Sequence, residues 1–184
     1  HHHFYKWIRI KKKILVDKNN KPIGGKWSFD SENRNPFDKK YKESSIRSFD
    51  TTSIKKAQEY IQQHFPTNPG SFDCVKIYPI DFKSAKKALQ KFIKVNLKDY
   101  GKYQDAVRSD IIFGTHSVLS PMINIGLLEP NYIIKQILKA YHNKNIPLSS
   151  IEAYLRQLLS WREYVRMLYI LKNNLFIKKK LFST

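Results

Sequence analysis

Three features of this 184-residue sequence predict an all-α fold. Apolar residues recur at three- and four-residue spacing in several separate stretches, Ser, Thr, Asp or Pro stands where those stretches begin, and the strand–helix alternation of a parallel sheet is missing. Hydrophobic residues make up 41% and aromatics 14%, with only 6 Gly and 8 Pro. Such a chain is neither disordered nor of low complexity, and at this length it forms roughly one domain burying about 70% of its unfolded surface.

The elements follow in order. Phe4, Trp7, Ile8, Ile14 and Leu15 lie near helical spacing, with Lys6, Arg9, Lys11, Lys12 and Lys13 between them, which predicts a basic amphipathic helix. Lys21-Pro22-Ile23-Gly24-Gly25 ends it, and the polar run to Tyr41 reads as an ordered loop pinned by Trp27 and Phe29. Thr52 or Ser53 caps a helix to about Phe65, with Ile54, Ala57, Ile61 and Phe65 on one face, ended by Pro66 to Gly70. Phe72 to Pro79 is extended, at most one strand. Asp81 caps a helix whose apolar face is Ala85, Ala88, Leu89, Phe92 and Leu97 and whose other face is Lys83, Lys86, Lys87, Lys91, Lys94 and Lys98, read first as solvated. Gly101 reads as a helix stop. Ser120-Pro121 and Glu129-Pro130 are helix starts, the second leading to about His142 with Ile133, Ile134, Ile137, Leu138 and Tyr141 inward. Ser149 or Ser150 opens the longest helix, in which Glu152 complements the positive amino end. The organisation expected is a basic linker-like segment over 1–52, a helical domain over 53–170 and a basic tail over 171–184, either a phosphate- or membrane-seeking helix or a frayed terminus.

Charge is the unusual quantity. Lys+Arg number 34 against 15 Asp+Glu, a formal +19, so polyanions are the first partners to consider. The single cysteine, Cys74, excludes an internal disulfide, a multi-cysteine zinc site and a four-thiolate iron-sulfur cluster from this chain, and fits an intracellular, cytoplasmic protein. No apolar run approaches the ~18 residues of a membrane span, and no secretion signal opens the chain. His1, His2 and His3 are left out of metal arguments, as the end of a tag or of a preceding segment.

Common catalytic signatures such as GK[ST] loops, GxGxxG, HExxH and GxSxG are absent. Three clusters remain. His116-Ser117-Val118-Leu119-Ser120-Pro121 brings two hydroxyls and several amides to a helix start, which suits a phosphate or equally a plain helix cap. Gln157 and Trp161, four apart, share a helical face beside Arg162, where an amide, an indole and a guanidinium border a planar ligand or merely line a partly buried helix. Gly24 to Arg34 is a glycine turn with alternating aromatic and polar residues, and its spacing specifies no reaction.

Taken in order, GGKWSFDSENR at 24–34, YGKYQDAV at 100–107, HSVLSPMINIGLLEP at 116–130 and IPLSSIEAYLRQLLSWREYVRMLY at 146–169 resemble the deoxyribodipyrimidine photolyase-related proteins, the prokaryotic iron-sulfur (6-4) photolyases of the cryptochrome/photolyase family. The resemblance spans about residues 4–170. It implies the helical FAD-binding domain of that family, light-driven repair of (6-4) pyrimidine photoproducts, and DNA as partner, with the damaged base flipped out of the duplex. By motif, Ser117, Val118, Leu119 and Ser120 would hold the FAD pyrophosphate with Tyr103 and His116 nearby, and Gln157, Trp161 and Arg162 would border the flavin and lesion.

The departures are as informative. The family's amino-terminal antenna domain, its His-His-Ile-Gln-Arg-Leu-like segment and its four cluster cysteines have no counterpart here, so neither iron-sulfur cluster nor lumazine antenna is expected on this chain. The expectation is a truncated domain, the first half of the FAD-binding unit, completed by a second chain if active. Ser160 and Met167 replace glycines usual in the family's GWREYVRG, and Val107 replaces a Met. Two rivals stand beside this reading: a flavin-free basic nucleic-acid-binding remnant, and a blue-light receptor of the same family.

Overall fold

The computed structural model describes residues 1–44, 49, 51–72, 75–143 and 146–178. Cys74 and residues 179–184 of the basic tail lie outside them. The fold is all-α. Eight α-helices are described: α1 (His2–Lys12), α2 (Thr52–His64), α3 (Phe82–Val95), α4 (Leu97–Tyr103), α5 (Ser120–Asn124), α6 (Pro130–Asn143), α7 (Leu148–Arg156) and α8 (Glu163–Lys178). Short 3₁₀ turns lie at Asp30–Glu32 and Val75–Ile77, and a π turn, Gln157–Arg162, joins α7 to α8. There is no strand among the described residues, only an isolated bridge between Val16 and Pro22. The extended reading of 72–79 is therefore corrected to a 3₁₀ turn where the chain is described.

α7 is the axis of the core. It packs most extensively on α4, then on α6, with α1 against the π turn and α3 against α4. Ile151, Ala153 and Leu155 of α7, Leu89 of α3, Leu97 of α4 and Ile133 and Ile137 of α6 are fully buried. Each large aliphatic side chain removed from water contributes about 1.5–3 kcal/mol. Asp81 does cap α3, its carboxylate accepting from Ser84 N–H at 2.8 Å. α2 starts one residue earlier than expected, with the Thr51 hydroxyl accepting from Ile54 N–H.

Other sequence readings are overturned for physical reasons. Gly101 is no helix stop: α4 runs through it to Tyr103, because a Cβ there would sit 2.6–2.8 Å from the backbone and hydroxyl of Ser150. Glycine is what allows α4 and the first turn of α7 to touch, and Gly101 N–H donates to Ser150 Oγ at 2.9 Å. Ser150 is thereby a link between helices, and α7 begins at Leu148 after Pro147 with no side-chain cap. Ser120 likewise lies inside α5 without capping it. Arg9, one of the basic residues of the expected amphipathic helix, is 1% exposed, and its guanidinium donates to the carbonyls of Ile14, Leu15 and Trp27.

Candidate functional site

The loop from α4 to α5 builds one wall of a cavity of about 470 Å³, whose other wall is Tyr154, Gln157 and Leu158. Two clamps shape this loop. Arg108 donates to the carbonyls of Asp38 and Tyr41, and the Glu43 carboxylate accepts from the amides of Ile112, Phe113 and Gly114 at 3.1, 2.6 and 2.6 Å. Gly114 takes φ +56° to turn under that carboxylate. Val118 then takes φ +54°, a left-handed conformation that a β-branched residue adopts only under constraint. Leu119 follows at φ −94°, ψ −4°. A left-handed residue followed by a right-handed one turns successive N–H groups toward a common point, a concavity for an anion. The amides of Ser117, Val118, Leu119 and Ser120 have no acceptor among the described residues.

Side chains complete this wall. Ser117 Oγ accepts from the Tyr154 hydroxyl at 3.1 Å, and His116 Nε2 lies 3.0 Å from the Gln104 carbonyl. Burial pushes the Tyr154 hydroxyl up to about 12, so it is a donor at neutral pH. Burial raises Tyr100, on the same cavity, as well. The buried Oε1 of Gln104, which lines the cavity, has no hydrogen-bond partner among the described residues.

Gln104 and Gln157 also line a second cavity, of about 380 Å³, with Tyr5, Ser28, Asp30, Arg156 and Trp161. The π turn sets its shape, presenting Trp161 half exposed beside Gln157. The His1 ring stacks on the Trp161 indole, centroids 3.7 Å apart. Beneath lies a buried network that spacing did not reveal. Glu152, wholly buried, accepts from the Tyr5 hydroxyl at 2.8 Å and Phe29 N–H at 3.0 Å, and stands 3.3 Å from Arg156 Nε. Arg156 donates to Asp30 Oδ1 at 2.6 Å and Asn33 Oδ1 at 2.8 Å. Hydrogen bonds from Arg34 and then Arg156 hold the Asp30 carboxyl below its usual range. Glu152 is thus no helix-dipole partner: it fastens the Gly24–Arg34 segment, a strap, to α7 and α1.

His116, Ser117, Val118, Ser120 and Gln157 come together on the first cavity, and Trp161 joins Gln157 on the second. The side chain of Leu119 is in the core, 1% exposed. Tyr103 lines neither cavity; its hydroxyl donates to Asp38 and its ring packs between Phe37 and Tyr41. Arg162 reaches Asn124 of α5 at 3.2 Å. Gln104, Glu43, Tyr154 and Arg156 were missed. Gln104 had a signal in the YGKYQDAV block, whereas Glu43 acts from 70 residues away with none. No group of His, Cys, Asp and Glu able to hold a metal exists among the described residues, and no described helix is long and apolar enough to cross a membrane.

Comparison with known proteins adds the following. Residues 1–76 match the family model of deoxyribodipyrimidine photo-lyase-related proteins. A (6-4) photolyase of Agrobacterium fabrum is 33% identical over 182 residues, 98% of this chain and 36% of that protein. An uncharacterized protein of Acanthamoeba polyphaga mimivirus is 44% identical over 68 residues, 36% of this chain and 52% of the viral protein. The chain therefore spans about a third of the bacterial relative's length and about half of the viral one's. The residues of the first cavity lie beyond the family-model match, whereas Tyr5, Ser28 and Asp30 of the second lie within it; the alignment to the (6-4) photolyase reaches both.

Proposed function

We propose that this chain is a photolyase-related protein and forms part of a flavin-binding helical unit that acts on DNA. The observation that carries the flavin half is the strained turn at Val118, which leaves four amides without acceptors among the described residues, at the mouth of a cavity of about 470 Å³. That donor set fits the phosphates of FAD: the amides of 117–120 and the hydroxyls of Ser117 and Ser120 would hold them. Among the described residues Gln104 Oε1 lacks a partner and the Gln157 amide nitrogen makes only a 3.3 Å contact to the Ala153 carbonyl, so both have capacity for the polar edge of a ring system. When bound, a flavin supplies light absorption and one-electron chemistry. Trp161 would give the adjoining cavity a stacking face, with Arg162 bracing α5 against the π turn from outside.

The DNA half rests on the +19 charge, since neutralising phosphates supplies most of the affinity for a duplex. A (6-4) photoproduct is the substrate suggested by the relative's name, and the setting is then intracellular. Polypeptide equivalent to the rest of a photolyase-length fold, in the same chain or a second one, would close the cavities. The test is FAD titration of the purified chain, read by flavin fluorescence and by co-elution on gel filtration. We expect uptake that Ser120→Asp, which sets a carboxylate against the turn, weakens at least about tenfold. No uptake, or uptake indifferent to Ser120→Asp, overturns the assignment. Colourless protein that still binds DNA favours the flavin-free module, the reading that charge alone supports. Flavin uptake without repair of lesion-bearing DNA under blue light favours a light receptor.

A further inference from the structure

Helices α3 and α6 present a face that neither large cavity uses. α3 carries Lys83, Lys86, Lys87, Lys91 and Lys94, α6 carries Lys135 and Lys139, and neither helix contains an acidic residue. The helices pack side by side. Gln90 Nε2 donates to Gln136 Oε1 at 3.3 Å, and the Lys86 ammonium sits 5.5 Å over the Tyr132 ring. Lysines thus flank a polar seam from both sides. Lys83, Lys87, Lys94, Lys135 and Lys139 are exposed, and none forms an ion pair among the described residues. The flanking acids, Asp81 and Glu129, stand at the amino ends, and the Asp81 carboxylate is engaged by Ser84.

A solvated face ordinarily mixes both signs of charge, so a two-helix surface of one sign creates a field that draws a polyanion. What else the face lacks narrows the occupant. The apolar stripe of α3, with Leu89 and Phe92, is already buried in the core, and Phe82 and Val95 stand exposed only at the two ends of the helix, which leaves no continuous apolar face to enter a bilayer. Tyr132, the aromatic ring at the seam, lies under Lys86, and Phe82 is a single open ring at the amino end of α3, so successive unpaired bases find no row of stacking platforms along the seam. Along α3, Lys83, Lys87 and Lys94 are spaced by about 6 and about 10 Å at 1.5 Å per residue. A row of ammonium groups at that spacing suits a sugar-phosphate backbone, contacted by charge without base reading.

We propose that the α3–α6 lysine face is a docking surface for the phosphate backbone of duplex DNA, separate from the cavities. It rests on the DNA half of the proposed function and is independent of the flavin half. The test uses the full chain, a fluorescently labelled undamaged duplex of about 20 base pairs, and anisotropy titrations between about 50 and 200 mM salt. Three proteins are compared: wild type, the variant K83Q/K87Q/K94Q/K135Q/K139Q, and a charge-matched control K12Q/K18Q/K21Q/K39Q/K40Q, with thermal melts to verify folding. Neutralising the face should weaken binding at least about tenfold and flatten the slope of log affinity against log salt by about 3 to 5, while the control loses less than about threefold. Equal losses in both variants, or no loss in the first, overturn the proposal. A wild-type chain that binds no duplex overturns it together with the DNA half of the function. FAD uptake by the same samples reports on the flavin half alone.

Discussion

Replacing Glu152 with alanine should unfasten the strap from the helical core. The carboxylate holds three partners from three parts of the chain: the Tyr5 hydroxyl of α1, the Phe29 amide of the strap and the Arg156 guanidinium one turn along α7. Alanine leaves the hydroxyl and the amide without an acceptor, at about 1–3 kcal/mol each where water cannot reach. Arg156 keeps Asp30 and Asn33, which limits the loss on that side. Removing one member of a buried pair generally costs about 3–5 kcal/mol, so about 4 kcal/mol is expected, against the roughly 5–15 kcal/mol that stabilise a whole domain. In urea unfolding followed by tryptophan fluorescence, with a slope of about 2 kcal/mol/M, the midpoint should fall by about 2 M. Glu152→Gln, which keeps one acceptor and removes the charge, should fall between the two. An alanine midpoint within about 0.5 M of wild type would refute the reasoning, because it would mean that the buried contacts are replaced at little loss.

Three further outcomes are expected. Gly101→Ala drives a methyl group against the backbone of Ser150 and should destabilise by about 2 kcal/mol, measured by the same urea titration; a neutral result would mean that α4 and α7 separate without penalty. Val118→Gly relieves a φ of +54° and should leave stability unchanged or raise it by about 1 kcal/mol, and a clear loss would show that the valine side chain, not the turn, is what the site needs. Tyr154 ionises near 10 when unfolded and at about 12 when folded, so the folded state keeps its proton longer. Stability is then intact below about pH 10 and is lost as pH rises toward 12, by up to about 1.4 kcal/mol per pH unit for this residue. Tyr154→Phe should flatten that decline, and parallel pH curves for the two proteins would count against it.

The parts of the fold legible in the sequence are those decided within a few residues. Asp81 ahead of an apolar stripe fixed the start of α3, and Glu129-Pro130 fixed that of α6, because caps and 3.6-residue periodicity are local physics. Long-range partnership left no local mark. Glu152 near a helix start reads as a dipole partner until Tyr5 and Phe29 are seen around it, and Gly101 reads as a terminator until Ser150 is seen against it. The π turn was invisible because one widened turn barely disturbs an apolar pattern. At the candidate site, residues 116–120 lie together around a turn, yet Ser120 caps no helix. The shape of the turn comes instead from the left-handed backbone at Val118, which composition cannot signal.

The strap has a consequence for the order in which this chain can become native. Tyr5 and Phe29 meet Glu152 across 147 and 123 positions of sequence. A ribosome adding about 5–20 residues per second needs roughly 7–30 s to pass from the first partner to the last. Throughout that interval Tyr5 and Phe29, both buried in the finished fold, lack the Glu152 carboxylate that joins them. The early segment must wait as a sticky, basic, partly helical stretch until α7 emerges, so the arrival of one acidic residue closes a structure whose first side was made long before.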